Sequence, residues 1–596
     1  MSKHVNIRLF AALCLTAVMA AQPLYAGPGS GLSHSRDNDD RDHQRHVLLI
    51  SIDGMHAVDF ANCVASNTCP ALAELGETGL NYTRTTTSRP SDSFPGLMAL
   101  VTGGTPRTVG AFYDVAYDRV LAPPTITTGN GLAGGNCVVG HINGTQTEYE
   151  EGDEFDQTKV NGGGPFSTFD GGVLSIDPNK LVRDPFNGCK PVYPWNFVRT
   201  NTIYGVIHAA GGFTAWSDKH PVYAVVSGPT GTSNPSNVDD YYAPEVNSNV
   251  INIPGFKTAN GLDCSTISNN TTSDWTTDFD AIKCYDQLKV NAVVNWINGK
   301  SHLGSSKQPV PVIFGMNFQA VSVGQKLIES IKGTKVFGGY TDDIATPTPA
   351  MAAEIAFVDA AIGQMVTALK HQGLLDSTTI IITAKHGQSP IDPKRFFPIP
   401  GSSGNNGQPP SAILAALLPA SATSGLGLAE DDISQLWLTN SSDTLKAVGL
   451  LETNAPQAGI GQIFFGSSLE TMFNAPGVPN NPGPCCFLRP GGDPRTPDII
   501  VQPNVGVVYT GSTKKQSEHG GFAHDDTNVM LLVSNPSIRA RTIHSFVETT
   551  QVAPTILQIL GLDPSALDAV RAEGTPVLPG LDQSRDQDQG RDRDHF

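Results

Sequence analysis

Three short apolar runs, each ending abruptly in polar residues, limit what this chain can fold into. Val47-Leu48-Leu49-Ile50-Ser51-Ile52 stops at Asp53-Gly54, and Thr379-Ile380-Ile381-Ile382-Thr383-Ala384 stops at Lys385-His386-Gly387. Pro311-Val312-Ile313-Phe314 leads into Gly315-Met316-Asn317-Phe318-Gln319. Runs this short, apolar on both alternating faces, suit strands buried on both sides, as in a parallel sheet. Residues 529–533 read the same way. Helices are expected over 71–79, 96–102, 350–370 and 553–560. In 350–370, Ile355, Val358, Ile362, Met365, Val366 and Leu369 fall on one stripe, and Pro349 suits a helix start. Strands alternating with helices give an α/β body with a largely parallel sheet.

That arrangement has a chemical consequence, because ligands of open α/β sheets bind beyond the carboxyl ends of the strands. Asp53, Asn317 or Gln319, and Lys385-His386 all follow such ends, so they should converge on one rim. The stretch 89–102, RPSDSFPGLMALVT, supplies a hydroxyl. Pro95 is tolerated in a first helical turn, which puts Ser93 at a helix start or one residue before it. Free N–H groups there suit an anion, although a lone Ser-x-Pro on its own more often marks a plain N-cap.

The remainder of the chain sets the context. At 596 residues it exceeds one minimal core. Residues 1–26 read as a signal peptide: Lys3 and Arg8, an apolar run over 9–21, and a cleavage site at Leu24-Tyr25-Ala26. No other stretch reads as a membrane span, so a secreted or periplasmic protein without a stable membrane anchor is expected. Residues 27–45 and 582–596 are polar and charged and read as a disordered linker and tail, leaving one folded body over 46–581. Beyond Cys14, eight cysteines remain, none in a CxxC pair, which favours disulfides over zinc ligation. Cys63–Cys69 and Cys264–Cys284 are natural short loops. The formal charge of −18 argues against extended nucleic acid as a partner but not against a small phosphorylated substrate. Residues 125–300, rich in Gly, Asn, Ser, Pro and aromatics, read as a cap-like insert over the rim. The stretches 401–423 and 474–495 read as Gly/Pro-rich loops.

Asp53, Ser93, His386 and His519 (the last in Ser517-Glu518-His519-Gly520-Gly521) bring together a carboxylate, a hydroxyl and two imidazoles. Each alone has an ordinary structural role, and His524-Asp525-Asp526 is a nearby rival. As a set, these donors suit zinc or another divalent ion, one or two in number, and a metal-bound serine alkoxide can attack phosphorus. In these residues the chain resembles the alkaline phosphatase superfamily, in its type I phosphodiesterase/nucleotide pyrophosphatase branch. The matching elements are the strand into Ile52-Asp53-Gly54, the block SDSFPGLMALVTG, and Tyr113-Asp114 with Tyr117-Asp118 beyond it. Ala384-Lys385-His386-Gly387, Glu518-His519-Gly520-Gly521 and the closing Thr550-Gln551-Val552-Ala553-Pro554-Thr555 complete the set. The resemblance implies a sheet sandwiched by helices, with Ser93 as a transiently phosphorylated nucleophile and metal ligand. It implies that Asp53, His386 and His519 bind metal, and that Asp114 stands where the branch has an Asn on a phosphate oxygen.

The chain departs from that pattern. Lys385 stands where the branch has Asp before the His, and 317–323 offer neither the Asp nor the His expected there. Three of the six expected carboxylate and imidazole ligands are missing. Two readings follow. In one, the Lys385 ammonium replaces the charge of one metal and serves catalysis, leaving one ion held mainly by Asp53, Ser93 and His386, with Asp525 or Asp526 as further ligands. In the other, the chain is a secreted binding protein on the same fold. A small nucleotide or phosphodiester is the implied substrate, with a phosphomonoesterase as the alternative. A sulfatase is disfavoured, because Ser93-Phe94-Pro95-Gly96-Leu97 lacks the Arg of the sulfatase signature. Trp216-Ser217-Asp218-Lys219-His220 reads as a loop, or as a segment through which Lys219 or His220 reaches the site. Tyr223, Tyr241 and Tyr242 suit an aromatic core or a stacking surface for a base.

Overall fold

The computed structural model describes residues 46–149, 173–247, 256–267, 274–400, 407–423, 428–469 and 493–581. The expected signal peptide, linker and tail lie outside the described residues, as do Cys485 and Cys486.

Eight strands form the central sheet: β1 (His46–Ile52), β2 (Gly79–Tyr82), β3 (Ala215–Ser217), β4 (Asp240–Tyr242), β5 (Ile313–Phe318), β6 (Thr378–Thr383), β7 (Leu531–Ser534) and β8 (Arg541–Ile543), in the order β8-β2-β7-β6-β1-β5-β3-β4. β1 lies between β5 and β6 and is parallel to both, with Leu49 opposite Gly315 on one side and Ile381 on the other. Buried by neighbours on both edges and both faces, this centre is almost purely apolar. Only β7 runs against the sheet, antiparallel to β6 and β2.

β5 starts at Ile313 and continues to Phe318, later than the apolar run alone suggests. Asn317 is therefore inside the strand, and Gln319 is the first residue past its end. Asn317 is completely buried, and its Nδ2 donates to Asp53.

Helices pack around the sheet in two groups. Phe279–Ile297 lies along Pro349–Gln372, and Ser93–Thr102 lies against Val552–Ile559 and Ile203–Ala209. By length and composition Pro349–Gln372 would suit a membrane span, which corrects the expectation that none beyond the leader would. Here its stripe from Met351 through Leu369 is buried in the core.

Residues 125–300 are more than a cap. They supply β3 and β4 at one edge of the sheet and a core helix, although their composition resembles loops. A second small sheet, Ser434–Leu436 and Ile460–Phe465 paired antiparallel to Ile499–Pro503, has an apolar cluster of its own around Leu436, Leu451 and Val501. Disulfides join Cys63 to Cys69, Cys264 to Cys284, and Cys137 to Cys189.

Candidate active site

Ser93 is the first residue of its helix. The N-cap is Asp92, whose carboxylate accepts from the Phe94 N–H at 3.3 Å and from the Asp114 N–H at 3.1 Å. One side chain thus fixes both the Ser93 turn and the Asp114 segment. Helix and sheet meet at Gly96, where an added Cβ would lie 2.2 Å from the Lys385 carbonyl oxygen. Only glycine lets the helix approach β6 this closely. Beyond β1, Asp53-Gly54 turns sharply with Gly54 at φ 81°, and the Gly54 N–H donates to the His386 carbonyl at 3.1 Å. The ends of β1, β5 and β6 and the start of the Ser93 helix are therefore held together by backbone contacts.

The side chains converge as the strand ends imply. Ser93 Oγ lies 3.1 Å from His386 Nε2. The other ring nitrogen, Nδ1, donates to the Gly387 carbonyl at 2.9 Å, which leaves Nε2 as the acceptor towards Ser93. Burial and the neighbouring His519 push His386 down to about 4, against the opposing pull of Asp53, so the ring is neutral at ordinary pH. His519 packs on it with ring centroids 4.0 Å apart, and its Nδ1 lies 3.3 Å from Asp92 Oδ1. Burial lowers His519, but Asp92 and Glu518 outweigh that and raise it, favouring the imidazolium.

Asp53 is the hub of the opposite side. Its Oδ2 accepts from Asn317 Nδ2 at 3.0 Å and from Gln319 Nε2 at 2.5 Å, with Lys385 Nζ at 3.4 Å and His386 Nε2 at 3.8 Å. Burial pushes its carboxyl up, yet Lys385, His386 and Lys219 together hold it well below the usual range. Lys385 Nζ also lies 3.9 Å from Asp218 Oδ1 and 4.5 Å from the Tyr223 ring centre. Asp218 is fixed by the Trp216 indole N–H at 3.0 Å. Lys219 completes the set, with Nζ 3.5 Å from Ser93 Oγ. Ser93, Asp53, Asp218, Lys385 and His386 are all buried.

Of the residues singled out in the sequence, Asp53, Ser93, Lys385, His386 and His519 come together. Lys219 reaches Ser93, whereas His220 turns away to Glu245 at 2.7 Å. Asp114 is tied to the same N-cap through its backbone. Asp525 instead accepts from the Ile391 N–H at 3.0 Å, and Asp526 faces Asp432. Tyr223, Tyr241 and Tyr242 are buried core aromatics, Tyr223 forming the floor beneath the lysines. Asp218 was missed. Its one sequence signal is its place beside Lys219, just past the end of a strand too short to read from periodicity.

The resemblance implies a divalent metal, and the donor set does not fit one. Among the described residues no group of three or more His, Cys, Asp or Glu is arranged to hold an ion. Asp53 and His386 are too few for a structural or catalytic site, which takes three or four protein ligands. Two amide donors and an ammonium crowd Asp53 Oδ2, and His519 is paired with Asp92.

The model of the type I phosphodiesterase / nucleotide pyrophosphatase family matches residues 47–148 and 323–403, segments that contain Asp53, Ser93, Asp114, Lys385 and His386. No curated protein matches the chain. Similar solved structures include murine ectonucleotide pyrophosphatase / phosphodiesterase 5, at 13% identity over 87% of this chain and 96% of that one, TM-score 0.48. An inactive variant of that murine protein in complex with AMP gives the same figures. The human counterpart gives 13% identity over 87% and 95%, TM-score 0.49.

Proposed function

We propose that this chain, which belongs to the type I phosphodiesterase/nucleotide pyrophosphatase branch of the alkaline phosphatase superfamily, hydrolyses small phosphoric esters through a Ser93-phosphoenzyme. The observation that carries this reading is the placement of Ser93 Oγ. It opens a helix, faces an unprotonated imidazole nitrogen at 3.1 Å, and has a lysine ammonium 3.5 Å away. In the forward step Ser93 Oγ bonds to phosphorus as the ester oxygen leaves. The Ser93 proton passes to His386 Nε2 and then to the departing oxygen. Lys219, Lys385 and the free N–H groups of the helix start offset the charge on the phosphoryl oxygens. Water then attacks phosphorus, the Oγ–P bond breaks, and Ser93 regains a proton. Asp53 and Asp92 position Lys385 and His519 without touching the reacting atoms.

Export to an oxidising compartment is part of the proposal, supported by the leader-like N-terminus and three disulfides. The acidic chain and enclosed site favour a nucleotide or simple phosphodiester over a polyanion.

One observation favours a second reading, a binding protein on the same fold. Ser93 is fully buried, and the two lysines and two aspartates around it balance one another in charge. A substrate enters only if covering side chains move. The test is turnover of nitrophenyl phosphodiester and monoester by the full mature chain and by Ser93→Ala. Turnover lost in the variant supports the hydrolase, and the diester-to-monoester ratio names its type. No turnover by well-folded wild-type protein supports the binding reading.

A further inference from the structure

The mismatch between the implied metals and the residues present points to a specific replacement. We infer that the ammonium groups of Lys385 and Lys219 do the electrostatic work that the family assigns to metal ions, so the site binds a phosphoryl group without a metal. This rests on the proposed hydrolase reading only for where the phosphoryl group sits.

Position is the first argument. Lys385 Nζ lies between two buried carboxylates, 3.4 Å from Asp53 and 3.9 Å from Asp218, and over the Tyr223 face. Lys385 is the residue that departs from the family's Asp, so the change removes a ligand and adds a cation at one stroke. A divalent ion beside that ammonium would face like-charge repulsion in a site shielded from water. Satisfaction is the second argument. Lys385 Nζ is completely buried yet makes no hydrogen bond, its carboxylate neighbours being at ion-pair distance only. A buried ammonium left this way is costly unless an oxygen ligand completes it. A phosphoryl oxygen supplies that acceptor. Lys219 is the second ammonium beside Tyr223, 3.5 Å from Ser93 Oγ and 5.7 Å from the Tyr223 ring centre. The two ammoniums thus share Tyr223 as a floor and flank the place where a phosphoryl group bonded to Ser93 would project its oxygens.

The test needs no turnover. The full mature chain is equilibrated with zinc, desalted and analysed for metal, and inorganic phosphate binding is measured in chelator by calorimetry. Wild-type protein should retain no stoichiometric zinc and bind phosphate equally with and without chelator. Lys219→Met should weaken phosphate by about ten- to a hundred-fold, the loss of one charge-assisted hydrogen bond. Lys385→Asp, which restores the carboxylate beside His386, should take up about one zinc per chain. Stoichiometric zinc in wild-type protein that Asp53→Asn removes, phosphate binding abolished by chelator, or folded Lys385→Asp without zinc would each overturn the inference. If Lys385→Asp does not fold, wild-type metal content and the Lys219→Met affinity still decide. Metal-free phosphate binding without ester turnover would refute the hydrolase reading alone, whereas chelator-sensitive turnover would refute this inference alone.

Discussion

Lys385 Nζ and Asp53 Oδ2 face each other at 3.4 Å in the fully buried centre of the site, at the ends of adjacent parallel strands. A buried carboxylate at that strand end needs a positive partner, and the residue next to His386 supplies it.

Breaking the pair from one side should be costly. Lys385→Met leaves Asp53 and Asp218 without their shared cation, and a loss of about 3–5 kcal/mol is expected in denaturant unfolding. Lys385→Met combined with Asp53→Asn should recover a large part of that loss. Additive losses in the double mutant would show that the two side chains do not stabilise one another.

Gly96 sets the distance between the nucleophile's helix and β6. A methyl group there would lie 2.2 Å from the Lys385 carbonyl oxygen, so helix and strand must separate to admit it. Gly96→Ala should destabilise by about 1–3 kcal/mol and misplace Ser93 relative to His386. Thermal melts read the first effect and turnover the second. An Ala variant as stable and active as wild type contradicts this packing.

Away from the nucleophile, Asp432 and Asp526 face each other in a buried pocket. Burial raises both, and Asp526 is pushed up to about 7 from an ordinary 3.8. Between those values the unfolded chain has lost a proton that the folded Asp526 still holds, so this carboxyl makes stability fall as pH rises from about 4 towards 7. Asp526→Asn should therefore gain stability relative to wild type at pH 7.5 compared with pH 4.5, read from urea unfolding at both. An equal difference at the two pH values would contradict the assignment.

Much of this was legible in the sequence because the physics there is local. Six-residue apolar runs such as 47–52 have few alternatives to a doubly buried strand, and polar residues at their ends had to share a rim. The pairings Cys63–Cys69 and Cys264–Cys284 followed from short loops. What escaped depends on tertiary context. β3 and β4 are three residues each, too short for any period, and sit in a segment whose composition resembles loops. Asp218 escaped for that reason, its place beside Lys219 being its one signal. The antiparallel course of β7 leaves no trace in an all-apolar run, and the second sheet at 434–503 was hidden among Gly- and Pro-rich stretches. On sequence alone Ser93 suits the N-cap, and only the fold shows Asp92 taking the role and freeing Ser93.

Ser93→Ala should lower ester turnover by at least about a thousand-fold while leaving the thermal unfolding midpoint within a few degrees, since the hydroxyl's partners are one imidazole and a long contact from Lys219 Nζ. Retained turnover would move the chemistry to another group.

The most direct test of the central claim is to trap the covalent intermediate. The full mature chain is mixed with a nitrophenyl phosphoester, quenched in acid within the first turnover, digested and analysed by mass spectrometry. One phosphoryl group on the peptide bearing Ser93, absent from Ser93→Ala and formed in the presence of chelator, is the predicted result. Turnover with no phosphorylated Ser93 peptide at any quench time would contradict it.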